Sequence, residues 1–125
     1  MEAKDLMIGD WIKTGHLDYN KVQEIARDNS MQWYISFACS ATLFRAYEFE
    51  PIPLTPEILE KNGWERNENF MDMKAADNIN FSWTDMYGES LFQNGYHVCD
   101  CKYVHTLQHV FRLYGLDELA DNFKV

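Results

Sequence analysis

At 125 residues the chain has the usual size of one domain, and its 46% apolar content can build a core without disulfide or metal staples. Its 11 basic and 20 acidic side chains leave a net charge of −9 with histidine neutral, a field that repels phosphate backbones and anionic membranes and so argues against both as partners. Three cysteines, Cys39, Cys99 and Cys101, make no disulfide framework and read as reduced thiols in a cytoplasm, and neither a signal peptide nor a bilayer-length apolar run is visible.

The first fifty residues read as short strands. Leu6 to Lys13 is apolar around a Gly9-Asp10 break, and Thr14-Gly15 with Asp18 marks a turn. Tyr19 to Ala26 alternates loosely, with Val22 and Ile25 as core contacts, and Asp28-Asn29-Ser30 marks a second turn. Met31, Trp33, Ile35 and Phe37 share one face of a strand, and Leu43 to Phe49 forms a fourth. Four short strands with tight turns predict a small bent sheet or an SH3-like barrel.

Pro51-Ile52-Pro53-Leu54 is an extended connector. It leads into a short helix with an N-cap at Thr55, Pro56 in the first helical position, Glu57 in the first turn, and a stop at Asn62-Gly63. An antiparallel meander follows, with strands at Trp64 to Arg66, Phe70 to Lys74, Ile79 to Thr84 and Leu91 to Val98. The alternation of Ile79, Phe81 and Trp83 with Asn80, Ser82 and Thr84 predicts one buried and one wet sheet face. Asn94-Gly95 suits a type I′ turn that would split the last strand into a hairpin.

Lys102 to Gly115 is the longest helical segment. Tyr103, Val104, Leu107, Val110, Phe111 and Tyr114 fall within about 120° of its wheel and predict packing across the meander. Leu116 to Phe123 adds one further helical turn. The expected architecture is therefore α+β: a single domain over 1–125, with a β-rich sub-module at 1–50 and an α+β sub-module at 54–125.

The densest set of metal-ligating types is Cys99-x-Cys101-x3-His105-x3-His109. His105 and His109, four apart, share a helical face, and Cys2His2 is a zinc ligand set. Against zinc, C-x-C lacks the knuckle turn that lets two thiolates chelate one ion. On the wheel both imidazoles lie with Arg112, opposite the apolar stripe. They are expected to face water, with the cysteines as small buried residues. Replacing one ligand by His97 makes the spacing less regular.

Catalytic motifs are missing. Cys39 has no local nucleophile signature, the carboxylates show no calcium-loop spacing, and the glycines are isolated rather than gathered into a phosphate loop. No catalytic residue and no cofactor is assigned. Trp11, Trp33, Trp64 and Trp83 with Tyr19, Tyr34, Tyr47 and Tyr87 offer either a core or a stacking surface for a peptide; the net charge argues against bases.

DLMIGDWI at Asp5 to Ile12, PIPLTPEILEKNGW at Pro51 to Trp64 and KYVHTLQHVFRLYG at Lys102 to Gly115 carry a resemblance in their order and spacing. Together they resemble a group of short uncharacterised proteins from Bacteroidetes genomes, phages and mobile elements. The resemblance implies a cytoplasmic bacterial protein of mobile-element or phage origin, and transfers no activity and no site residue.

The leading expectation is a non-enzymatic interaction or accessory protein that binds a protein partner or itself. The alternatives are a zinc-stabilised module built on Cys99, Cys101, His105 and His109, and a small hydrolase with a carboxylate or histidine site.

Overall fold

The computed structural model describes residues 6–14, 18–27, 33–37, 40–45, 49–86 and 88–125. The described residues form two antiparallel sheets and three short helices, a mixed α+β architecture.

The first sheet comprises β1 (Trp11–Thr14), β2 (Asp18–Arg27), β3 (Trp33–Phe37), β4 (Ser40–Arg45) and β5 (Phe49–Pro51), in the order β4-β3-β2-β1-β5. The long strand β2 serves two partners. Its first part pairs with β1, from Asp18 opposite Thr14 to Lys21 opposite Trp11. Its remainder pairs with β3, from Val22 opposite Phe37 to Arg27 opposite Trp33. The register slips between Val22 and Glu24, where an irregularity of this kind bends a strand. The described parts of the segment 43–49 belong to β4 and β5, so they serve opposite edges of this sheet rather than one strand. Cys39, His16, Tyr47 and Tyr87 lie outside the described residues.

Helix α1 (Pro56–Lys61) begins as its sequence dictates: Thr55 Oγ1 accepts a hydrogen bond from Ile58 N at 3.2 Å, and Pro56 occupies the first turn. Six residues are too few for a helix to hold by propensity, and α1 is anchored by Leu59, which is fully buried.

The second sheet is a five-stranded meander of β6 (Glu65–Asn67), β7 (Phe70–Ala76), β8 (Ile79–Thr84), β9 (Ser90–Gln93) and β10 (Tyr96–Asp100). The β9–β10 turn takes Asn94 to φ 49° and Gly95 to φ 85°, the left-handed pair that a type I′ hairpin demands. Alternation places Met71, Phe81, Trp83 and Leu91 on the inner face, all buried. The expected wet face has one exception: Thr84 is buried, with its Oγ1 donating to Asn69 O at 2.8 Å.

Helix α2 (Val104–Leu113) lies across that inner face, and α3 (Asp117–Asp121) follows it. Val104, Leu107, Val110 and Phe111 of α2 are buried in one cluster with the four sheet residues, Ile52, Leu59 and Trp64. Phe81 meets Phe111 and Tyr114 edge-on, with ring centroids 5.6 and 5.3 Å apart. Each such side chain contributes about 1.5–3 kcal/mol by leaving water, which makes this cluster the main source of stability. Among the described residues no helix is long and apolar enough to cross a membrane.

Candidate functional site

Helix α2 has a second working face. His105, Gln108, His109 and Arg112 stand at positions i, i+3, i+4 and i+7, a continuous stripe beside the apolar one. Against this stripe runs the segment that leads into β1. It turns at Gly9, whose φ of 92° brings its N–H to Val22 O at 2.7 Å. The next residue, Asp10, accepts from Val22 N at 2.8 Å, so the segment is pinned to β2 on one side and exposed to α2 on the other.

Asp10 is fully buried. Its Oδ1 accepts from Arg112 NH1 at 2.6 Å. Its Oδ2 accepts from His109 Nε2 at 2.6 Å and from Met7 N at 2.8 Å. A carboxylate taken out of water needs such saturation, because an uncompensated charge there would cost several kcal/mol. Arg112 is the strongest partner, being permanently charged, and it is itself largely buried. Its other terminal nitrogen, NH2, lies 3.8 Å from Asp121 Oδ1 and has no hydrogen-bond partner. A Cβ built on Gly9 would come within 2.9 Å of that nitrogen, so a side chain there would force the guanidinium aside.

Gln108, also fully buried, completes the seam. Its Oε1 accepts from Trp11 N at 2.9 Å, and its Nε2 donates to Gly9 O at 2.9 Å and Ala120 O at 3.0 Å. One side chain thus ties the first strand, α2 and α3. Trp11 adds a bond from its Nε1 to Phe123 O at 2.7 Å, and Lys21 Nζ donates to Asp121 O.

The two imidazoles do not face water as the wheel predicts. His109 keeps less than a quarter of its side chain exposed and is bonded to Asp10. His105 is only 9% exposed; its ring stacks on Tyr103 at 5.8 Å and meets His109 edge-on at 5.5 Å. The reason is that the polar stripe has its own cover, a segment about one hundred positions earlier in the chain. Asp10 and Gln108 were not anticipated as partners. The available signal was a helical stripe of four hydrogen-bonding side chains and an acidic residue embedded in the apolar run Leu6 to Ile12.

The four residues of the zinc alternative are not brought together. Among the described residues no three His, Cys, Asp or Glu side chains gather closely enough to hold a metal ion. Cys101 is fully buried beyond the end of β10, and burial pushes its thiol well above the ordinary cysteine range. Cys99 is raised as well, first by burial and then by the charge of Asp100. His97 sits apart, 3.7 Å from Asp100 on the exposed hairpin.

The Asp10–His109 pair has the form of the orienting half of an acid–base dyad. Both carboxylate oxygens of Asp10 are occupied, and His109 keeps 23% of its side chain exposed.

Of the two readings of the tryptophans, core and stacking surface, the described ones take the first. Trp64 and Trp83 are core residues, and Trp11 is half-buried in the seam, with Lys21 Nζ 5.6 Å from its ring centre. Partly exposed aromatic surface also lies on the outer face of the meander. Strand register aligns Glu65, Asp72, Ser82, Phe92 and His97 in one row across all five strands. Phe70 packs edge-on against Phe92 at 6.0 Å and remains 38% exposed, and Phe92 meets His97 at 5.5 Å. Asn67, Phe70, Asp72, Ser82, Phe92 and Gly95 line a shallow cleft of about 310 Å³ there. No family model, no curated protein and no solved structure matches the chain.

Proposed function

We propose that the chain is a non-enzymatic interaction protein that docks a protein partner on the outer face of its meander sheet. The observation that carries this reading is the Phe70–Phe92 pair, Phe70 exposed and Phe92 half-buried, rimmed by Asn67, Asp72, Ser82 and His97, on the sheet face opposite α2. Aromatic side chains set in a polar rim are the usual composition of an interface centre.

A strand order of β4-β3-β2-β1-β5, with β2 shared between two pairings, is consistent with a small SH3-like barrel. Such barrels carry many unrelated functions, so the order supports an architecture and not a ligand. The resemblance of three segments to short Bacteroidetes, phage and mobile-element proteins supports a cytoplasmic bacterial protein of that origin and adds no activity.

The test is co-purification from the native host together with a measurement of size in solution. The wild-type chain is expected to retain a protein partner or a second copy of itself, and the double variant Phe70→Ser with Phe92→Ser is expected to lose it while keeping its circular dichroism. A monomer whose co-purifying proteins are unchanged by the double variant overturns the proposal.

A further inference from the structure

Of the asparagines in the chain, only Asn62 and Asn94 are followed by glycine. That pairing has a chemistry of its own. With no side chain on the next residue, the glycine nitrogen can close on the asparagine side chain to form a cyclic imide. The same ring is hindered at Asn78 and Asn80, which precede Ile79 and Phe81.

The fold clamps both side chains, to different depths. Asn94 stands at the exposed tip of the β9–β10 hairpin with φ 49°. Its Oδ1 accepts from Asn80 N at 2.9 Å and its Nδ2 donates to Asn78 O at 2.8 Å, which ties this turn to the start of β8. Among the described residues no backbone carbonyl accepts from Gly95 N. Asn62 is half-buried and caps the end of α1. Its Nδ2 donates to Ile58 O and Lys124 O, each at 2.8 Å, and its Oδ1 accepts from Lys124 N at 2.8 Å. Here the attacking nitrogen is held as well, since Gly63 N donates to Glu60 O at 3.1 Å. Two of the bonds on Asn62 come from Lys124, next to Phe123, which is buried in the core. Reaction at Asn62 therefore needs the terminal segment to lift, whereas reaction at Asn94 needs only its own side chain to turn.

We propose that Asn94 and Asn62 are two sites of spontaneous deamidation that open in sequence: Asn94 reacts in the folded protein, and Asn62 only when the segment Phe123–Lys124 detaches. In each, the glycine nitrogen forms a bond to the asparagine Cγ, the Cγ–Nδ2 bond breaks, and ammonia leaves with the proton that the glycine nitrogen gives up. Water then opens the imide at either carbonyl. Its hydroxyl goes to carbon and its remaining proton to the ring nitrogen, leaving aspartate or isoaspartate with no change of oxidation state. An aspartate carries no N–H where Nδ2 stood. Its oxygens would face Asn78 O at the hairpin, or Ile58 O and Lys124 O at the helix end, so each conversion replaces a clamp by a repulsion. The inference is independent of any partner on the outer sheet face.

The test is to incubate the whole chain in mildly alkaline buffer, with and without denaturing urea, and to follow the peptides that carry each asparagine by mass spectrometry. Each bond that must open slows the reaction by about fivefold. In urea the two sites are expected to convert at like rates, with Asn78 and Asn80 as slow internal controls. In native buffer Asn94 is expected to convert at least about tenfold more slowly than in urea, and Asn62 at least about tenfold more slowly again. Lys124→Pro removes the N–H that Asn62 Oδ1 accepts, at an exposed position, and leaves Phe123 itself unaltered. It is expected to speed Asn62 by about fivefold while Asn94 keeps its native rate. The proposal is overturned if Asn62 converts as fast as Asn94 in native buffer, or if Lys124→Pro leaves the ratio of the two rates unchanged. It is also overturned if Asn94 stays intact in native buffer over about a hundred times the period that consumes it in urea.

Discussion

Helix α2 is held on two sides by opposite means. One face buries Val104, Leu107, Val110 and Phe111 against Phe81 and Trp83. The other binds Gly9, Asp10 and Trp11 through Gln108, His109 and Arg112. The apolar side gains roughly in proportion to the area buried and tolerates small shifts. The polar side gains little net energy over water, but every bond has a required direction. The comparison teaches a division of labour: the apolar face makes the helix stay, and the polar stripe fixes where the first sheet sits against it.

That division can be broken from either side. The largest effect is expected from Phe81→Ala, which empties the centre of the apolar face and is expected to cost about 3–5 kcal/mol in a urea titration. Asp10→Ala comes next, at about 3 kcal/mol, because it strands Arg112 without its carboxylate. The pair Asp10→Ala with Arg112→Met is expected to recover a good part of that loss. If the double variant is instead as unstable as the sum of the two single ones, the seam is itself a large net source of stability and the contrast fails.

A pH titration sharpens the contrast, since it addresses the apolar side alone. The Cys101 thiol is raised by burial above its ordinary value of 9.0. Above that pH the unfolded chain has lost the proton while the folded chain keeps it. The unfolded state then binds fewer protons, so stability is expected to fall as pH rises beyond about 9, by up to about 1.4 kcal/mol per unit. Cys99, raised less, adds to the same slope. Cys101→Ala is expected to flatten the decline; an unchanged slope would place its origin elsewhere. The smallest effect is expected from Thr55→Ala, about 1 kcal/mol by loss of the cap on α1, a control that touches neither face of α2.

These two faces were not equally legible in the amino-acid sequence. The apolar stripe could be read directly, because Leu107, Val110 and Phe111 recur at helical spacing and Phe81 and Trp83 alternate as a half-buried strand must. The Asn94-Gly95 turn and the Thr55-Pro56 helix start could be read too, since each depends on chemistry within a few residues. The polar stripe was misread as a wet surface. Hydropathy cannot distinguish a histidine that meets water from one that meets an aspartate, and Asp10 lies 99 positions from His109 and 102 from Arg112. Close spacing of Cys99, Cys101, His105 and His109 along the chain does not translate into a gathered ligand set among the described residues, because Cys101 turns into the core while His109 turns toward Asp10.

The bonds from Trp11 to Phe123, and from Asn62 to Lys124, bear on how the molecule is made as well as how it stands. A ribosome delivers Gly9, Asp10 and Trp11 long before it delivers Gln108, His109 and Phe123. The first sheet must therefore wait, with one flank unsheltered, until nearly the whole described chain has emerged. Closure across such separations is slow relative to local helix or hairpin formation, so during synthesis the unfinished molecule presents a surface that the finished one hides.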